Sequence, residues 1–227
     1  TSITLDWGVV AGEYTRYCLL ENSTDPSLCV WLSGALPTNY LDSAADGSFY
    51  VTGFLRNDYG VSAAVVSNTV TIDRTRPVLA SATITNPSPA NTTSYSMTWG
   101  GVTGGGYSSY CVQENSTSVA ACTWNSGSLP PTITVSTVED LKTLSVWLRD
   151  DAGNVSTRLD SNSVLLDLSA PTLASATIVN SNPTNTTTYG LNYGAITGTY
   201  SHYCILENDT VVGNCSFTAG TLPASYV

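Results

Sequence analysis

Lysine is almost missing from this chain: Lys142 stands alone among 227 residues, and seven Lys and Arg together face 17 acidic residues. The resulting net charge of −10 excludes a nucleic-acid partner, because neutralising phosphates requires clustered cations. Histidine is equally scarce, with His202 the single example. No apolar run is long enough to cross a bilayer, so membrane insertion by this segment is not expected. A charged-then-apolar leader is also absent from the first residues, so an export signal, if one exists, is expected outside this stretch. Charged residues make up only 11% and apolar ones 42%, with Ser, Thr, Asn and Gly abundant. That mixture reads as an all-β protein with many turns rather than a disordered chain.

What is present is a repeat. Tyr17-Cys18-Leu19-Leu20-Glu21-Asn22 returns as Tyr110-Cys111-Val112-Gln113-Glu114-Asn115 and as Tyr203-Cys204-Ile205-Leu206-Glu207-Asn208. Each copy is closed by a second cysteine and an aromatic residue: Cys29 and Trp31, Cys122 and Trp124, Cys215 and Phe217. Each then ends in Gly-x-Leu-Pro, at Gly34–Pro37, Gly127–Pro130 and Gly220–Pro223. Six cysteines allow fifteen pairings, but the repetition selects Cys18–Cys29, Cys111–Cys122 and Cys204–Cys215. Zinc lacks a third and fourth ligand in every copy. Disulfides imply an oxidising location, extracellular or periplasmic.

The cysteine period is 93 residues, whereas Pro77-Val78-Leu79-Ala80-Ser81-Ala82-Thr83-Ile84 returns 94 residues later as Pro171 to Ile178. One residue is therefore lost on the way, and the glycine run Gly104–Gly106 is where the slip belongs. The phase places a repeat lacking its first strand at 1–76, a complete one at 77–170 and the first half of a third at 171–227. It is therefore expected to be a piece of a longer tandem array, since a half sandwich leaves edge strands unpaired. Within the complete unit, Val78, Ala80, Ala82 and Ile84 alternate with polar residues as one strand, and Tyr95, Met97 and Trp99 as another. The cysteine hairpin, Thr132–Val135, Thr143–Arg149 and Ser163–Asp167 supply the rest. Seven short strands in about 94 residues is the pattern of a β-sandwich.

Val146-Trp147-Leu148-Arg149-Asp150-Asp151-Ala152-Gly153-Asn154, followed by a strand and Asp167-Leu168-Ser169-Ala170-Pro171, resembles the tandem immunoglobulin-like (Big-type) domains of large bacterial surface proteins. Phe54–Gly60 and Asp73–Pro77 keep the pattern loosely in the first copy. The resemblance implies tandem immunoglobulin-like repeats, extracellular or on a cell surface, with a Pro-stiffened linker at each junction. It implies a non-enzymatic stalk, adhesin or fibre subunit. The partners it suggests are neighbouring repeats of the same protein, surface glycans or proteins of a host or prey, and other fibre subunits. The cysteine pairs depart from antibody domains, because eleven residues are too few to join two sheets and suit a bridge across one hairpin. Lys–Asn cross-links, common in such surface domains, are not expected with a single unrepeated lysine.

Three constellations merit weighing. His202 has Arg16 and Ser109 as counterparts, so no repeated chemistry uses it and no catalytic residue is assigned. Glu114, with its counterparts Glu21 and Glu207, either accepts backbone N–H bonds that hold the loop or ligates calcium. The same two readings apply to Asp150 and Asp151 and to the linker positions Asp73 and Asp167, where a cation would stiffen a junction. Trp31, Trp124 and Phe217 form a candidate binding surface for sugar or a neighbouring subunit, or else shield the disulfide. Strand parity turns Tyr110, Val112 and Glu114 inward and Cys111 away from the core, with Trp124 opposite Ser109.

Overall fold

The alternation of Tyr95, Met97 and Trp99 with Ser and Thr makes Ser94–Trp99 the middle strand of a three-stranded sheet. The computed structural model, which describes residues 2–41 and 45–227, pairs it antiparallel with Ala82–Ile84 and with Thr132–Thr134. Tyr95 and Met97 are buried while Ser94, Ser96 and Thr98 face solvent, as the period of two demands. A second sheet runs in the order Asn125–Ser126, Ser109–Glu114, Leu144–Arg149, Leu159–Asp160, antiparallel throughout. Between these sheets lie Leu79, Ala82, Val146 and Leu148, with Trp99, Val102, Tyr110 and Val112 packed on them. Removing each large aliphatic from water contributes roughly 1.5–3 kcal/mol. Three strands facing four make an immunoglobulin-like β-sandwich. No α-helix occurs among the described residues, and each copy has one 3-10 turn.

Two local expectations are corrected. The strand beginning at Val78 does not keep one phase: Leu79, Ala82 and Ile84 are buried, whereas Val78 and Ala80 are exposed. The chain shifts at Ala80–Ser81, pairing first with Val102–Thr103 and then with Ser94–Trp99. Gly100 permits this, since a Cβ there would stand 2.6 Å from Ser81 Oγ and 2.7 Å from its amide nitrogen. The last strand also differs. Leu159–Asp160 pairs with the tryptophan strand, ahead of Val164–Leu165, which is all that forms of the expected Ser163–Asp167 strand. Its polar run Thr157–Asn162 carries no alternation to announce it.

The chain forms two compact units, one of Thr1–Asn86, Ser94–Val135 and Lys142–Val164, the other of Pro87–Thr93, Ser136–Leu141 and Leu165–Val227. In the first unit the earliest repeat repeats the sandwich plan. Arg16–Glu21 pairs over six residues with Val51–Asn57, and Phe49, Val51 and Ile72 form a core with Trp7, Leu19 and Tyr40. In the second unit Ala176–Ile178, Tyr189–Tyr193 and Ser225–Tyr226 form one sheet. His202–Tyr203 pairs there with Thr218–Ala219. Gly104, Gly105 and Gly106 all have positive φ, whereas the corresponding loop of the third copy has one such glycine, Gly198. The lost residue falls in this loop, where only glycine takes such backbone readily.

Candidate functional site

The repeated stretch is a hairpin clipped by a disulfide. Cys18–Cys29, Cys111–Cys122 and Cys204–Cys215 are bonded, with Cα atoms 5.6, 5.8 and 5.7 Å apart. Among the described residues no cysteine is free. Within each loop a 3-10 turn forms, at Pro26–Leu28, Val119–Ala121 and Val212–Asn214. Its amides are met from in front: Asp25 Oδ1 accepts from Ser27 N at 2.9 Å, and Ser118 Oγ from Ala120 N at 3.3 Å. In the third copy Asp209 accepts from Val211 N at 2.8 Å and from Asn214 Nδ2 at 2.6 Å. These donors hold both carboxyls below the ordinary value of 3.8, through Ser27 for Asp25 and through Asn214 and then Val211 for Asp209.

The hairpin register differs from the parity expectation. Ser109 lies across from Ser126 and Tyr110 from Asn125, which by continuation sets Trp124 against Cys111 rather than against Ser109. Tyr110 and Val112 do pack on the sandwich core. The cysteine face is nevertheless covered: Cys18 and Cys111 are buried, and Cys111 lies across from the buried Trp147.

The glutamate and asparagine of the motif act on the incoming strand. Asn22, Asn115 and Asn208 share left-handed backbone with φ of 48°, 49° and 52°, which asparagine tolerates. Asn115 donates its N–H to Thr143 O and accepts Thr143 N–H on Oδ1, both at 2.8 Å. Asn22 makes the same pair with Tyr50 at 3.0 Å. Asn22 and Asn115 thus latch the residue just ahead of the strand that covers the hairpin. Glu114 contacts an ammonium: Lys142 Nζ, fully buried, stands 2.5 Å from its Oε1. The only lysine is therefore an internal ion-pair partner.

The Gly-x-Leu-Pro end is held by two rings in every copy. Trp7, Trp99 and Tyr193 donate to the carbonyls of Pro37, Pro130 and Pro223 at 2.7, 2.7 and 2.9 Å. Tyr14, Tyr107 and Tyr200 accept from the amides of Leu36, Leu129 and Leu222 at 3.2, 2.9 and 3.3 Å. A second pair of devices was legible only as recurring serines. Ser156 N bonds Leu148 O and its Oγ accepts Leu148 N–H, and Ser161 does the same for Leu144. In the first copy Ser62 and Ser67 repeat this on Leu55 and Val51. The serines stitch a polar edge that has few ladder bonds of its own.

Of the three candidate platform rings, two are already stacked upon. The Arg149 guanidinium lies 4.5 Å from the Trp124 ring centroid and Arg56 lies 5.6 Å from that of Trp31. Phe217 is 62% exposed. His202 is exposed and its Nδ1 meets the neighbouring Ser201 hydroxyl at 2.9 Å.

The candidate calcium ligands separate into three places. Glu114 is with Lys142. Asp150 accepts on Oδ1 from Asn154 N at 2.8 Å and on Oδ2 from Asn154 Nδ2 at 3.0 Å, and the same Nδ2 donates to Asp73 O at 3.0 Å. At this junction the Asn154 amide therefore ties the Asp150 turn to the linker. Asp151 points to solvent beside it. Asp167 accepts from Ser169 N at 3.1 Å, while Glu139 takes Leu168 N at 2.7 Å and the Ser169 hydroxyl. Among the described residues no group of three or more acidic, histidine or cysteine side chains could hold a metal ion.

No family profile and no curated protein matches the sequence. Among solved structures, the fibronectin(III)-like modules of Clostridium thermocellum CbhA overlap 70% of this chain and 82% of their own, at 15% identity and a TM-score of 0.39. The FN1–FN3 domains of chicken CNTN1 overlap 94% of this chain and 77% of theirs, at 9% identity and a TM-score of 0.29. The fold stated above rests on the paired sheets of this chain itself. No helix among the described residues is long and apolar enough to cross a membrane.

Proposed function

We propose that this chain is a non-enzymatic segment of an extracellular array of immunoglobulin-like repeats, serving as stalk, adhesin or fibre subunit like the bacterial surface proteins it resembles. One observation carries the reading: what recurs between copies is holding hardware. The clip is present in all three copies, as are the two ring bonds on Gly-x-Leu-Pro. The asparagine latch and serine stitches recur in the first two. The exposed groups beside them change, with His202 standing where Arg16 and Ser109 stand in the other copies. A catalytic site would invert that pattern, keeping its reactive side chains and varying the frame. Disulfides in each copy favour an oxidising, extracellular setting.

Stretching single molecules by their ends tests this. Each repeat should yield in a separate force peak. Reduction should lengthen the fully extended chain by about 30–34 Å for each opened clip, the reach of the 11 residues between its cysteines less the 5.8 Å the clip already spans. Extension at low force without discrete peaks would overturn the mechanical reading. A sugar-binding surface is less favoured, because Arg149 and Arg56 already lie over two of its three rings.

A further inference from the structure

Arginine is scarce in this acidic chain, and Arg158, Arg74 and Arg149 each meet a group that receives them. Arg158 stands 3.1 Å from Asp160 and Arg74 stands 3.7 Å from Asp46. Arg149 lies over Trp124 and donates its Nε–H to the Ser109 hydroxyl at 3.2 Å. The first repeat departs from this on the same face. Arg56 lies over Trp31 as Arg149 lies over Trp124, but the residue across the ladder from it is Arg16, where the middle repeat has Ser109. A second donor stands in the place of the acceptor.

Directly opposed residues of an antiparallel pair share one face, with Cβ atoms about 4.5–5.5 Å apart, and like charges there repel. Arg16 and Arg56 are both exposed, and among the described residues no carboxylate lies within ion-pair reach of either. Trp31 is half-buried beside them. The register that sets Leu32 against Tyr17 brings the exposed Ser33 to the other side of Arg16. The elements that build this patch are whole in the first repeat: the ladder of Arg16–Glu21 with Val51–Asn57 runs its full length, and the disulfide closes the hairpin. In the middle repeat, which has a repeat and a linker ahead of it, Arg149 at this place meets Ser109 and Trp124 of its own hairpin.

From this we infer that Arg16, Arg56 and Trp31 form a site for the carboxylate of an acidic sugar. Two guanidinium forks take a planar carboxylate in charge-assisted pairs, and the anion removes the repulsion between them. Arg56 already covers one face of the Trp31 ring, so the sugar is held from the guanidinium side. The free edge of the ring and the Ser33 hydroxyl then flank its apolar face and its hydroxyls. A net charge of −10 repels densely charged polyanions, which selects a ligand whose carboxylate stands alone on an otherwise neutral sugar. This goes beyond the proposed function, since it names a ligand class for one repeat whatever the array serves.

The test titrates the intact, oxidised 227-residue chain, labelled with nitrogen-15, with glucuronic acid at low salt. The Nε–H resonances of Arg16 and Arg56 and the indole N–H of Trp31 should shift saturably, and glucose should leave them in place. Arg16→Ser, which copies the middle repeat, should weaken binding about fivefold, the upper scale of an exposed charge pair. Raising the ionic strength from about 0.01 to about 0.15 M should also weaken it, as the screening length contracts. Arg158→Ser, at an arginine already paired with Asp160, should leave binding unchanged. Absence of shifts, an equal response to glucose, or binding untouched by Arg16→Ser would each overturn the assignment. So would acetate binding as tightly as glucuronic acid, or a sulfated sugar or an acidic peptide binding more tightly than it.

Discussion

The fully buried Lys142 shows how one position can be filled by two chemistries. Its counterpart in the first copy, two residues before the covering strand, is Phe49, which is also buried. An ammonium survives there because the Glu114 carboxylate meets it, and breaking such a pair from one side leaves a charge without its partner. Lys142→Ala should lower the urea stability of the middle repeat by about 2 kcal/mol, reduced from the fully buried case because Glu114 keeps some solvent access. Lys142→Phe, which copies the first repeat, should lose clearly less. Equal losses in the two variants would show that the ion pair does not govern this site. Asn115 bonds the backbone of the neighbouring Thr143, a contact that does not depend on the side chain there, so the asparagine recurs while the lysine does not.

Among the elements, the last strand depends most on side chains. Ser156 and Ser161 satisfy the amides of Leu148 and Leu144 at 2.9 Å, inside a sheet where both leucines are buried. Ser156→Ala should leave the buried Leu148 amide with no acceptor and cost about 1–3 kcal/mol, read as a lower denaturation midpoint. Ser62→Ala should act in the same direction on the first repeat through Leu55. The clipped loops make a different prediction. The folded carboxyls of Asp25 and Asp209 titrate below 3.8. Their contribution is therefore present above the unfolded value and is lost as pH falls through the folded one. The amide resonances of Ser27 and Val211 should then shift with midpoints below 3.8. That of Ala120, capped by the uncharged Ser118, should not move.

At the scale of the molecule, the first junction is tied by an amide spanning two repeats. Asn154 Nδ2 reaches both Asp150 Oδ2 and Asp73 O, so Asn154→Ala should loosen the linker without unfolding either sandwich. Residual dipolar couplings of the first and middle repeats should cease to fit one alignment frame, while the chemical shifts of both cores hold. With no metal-competent group among the described residues, a chelator should leave the melting midpoint unchanged. A rise in that midpoint on adding calcium would point instead to the carboxylates of Asp73, Asp150 and Asp151.

The amino-acid sequence by itself determined the repeat, its period, the three disulfides and the sandwich class. All of these follow from spacing along the chain: a cysteine eleven residues from its partner, alternation at Tyr95, Met97 and Trp99, and a loop slip at Gly104–Gly106. Tertiary structure decided which groups meet. Trp99 and Pro130 are 31 residues apart, Lys142 and Glu114 are 28, and Asn154 and Asp73 are 81. No local pattern encodes those contacts, because they exist only once two sheets have set their register. The same holds for the shift at Ala80–Ser81, where a change of pairing partner overrides a continuous alternation.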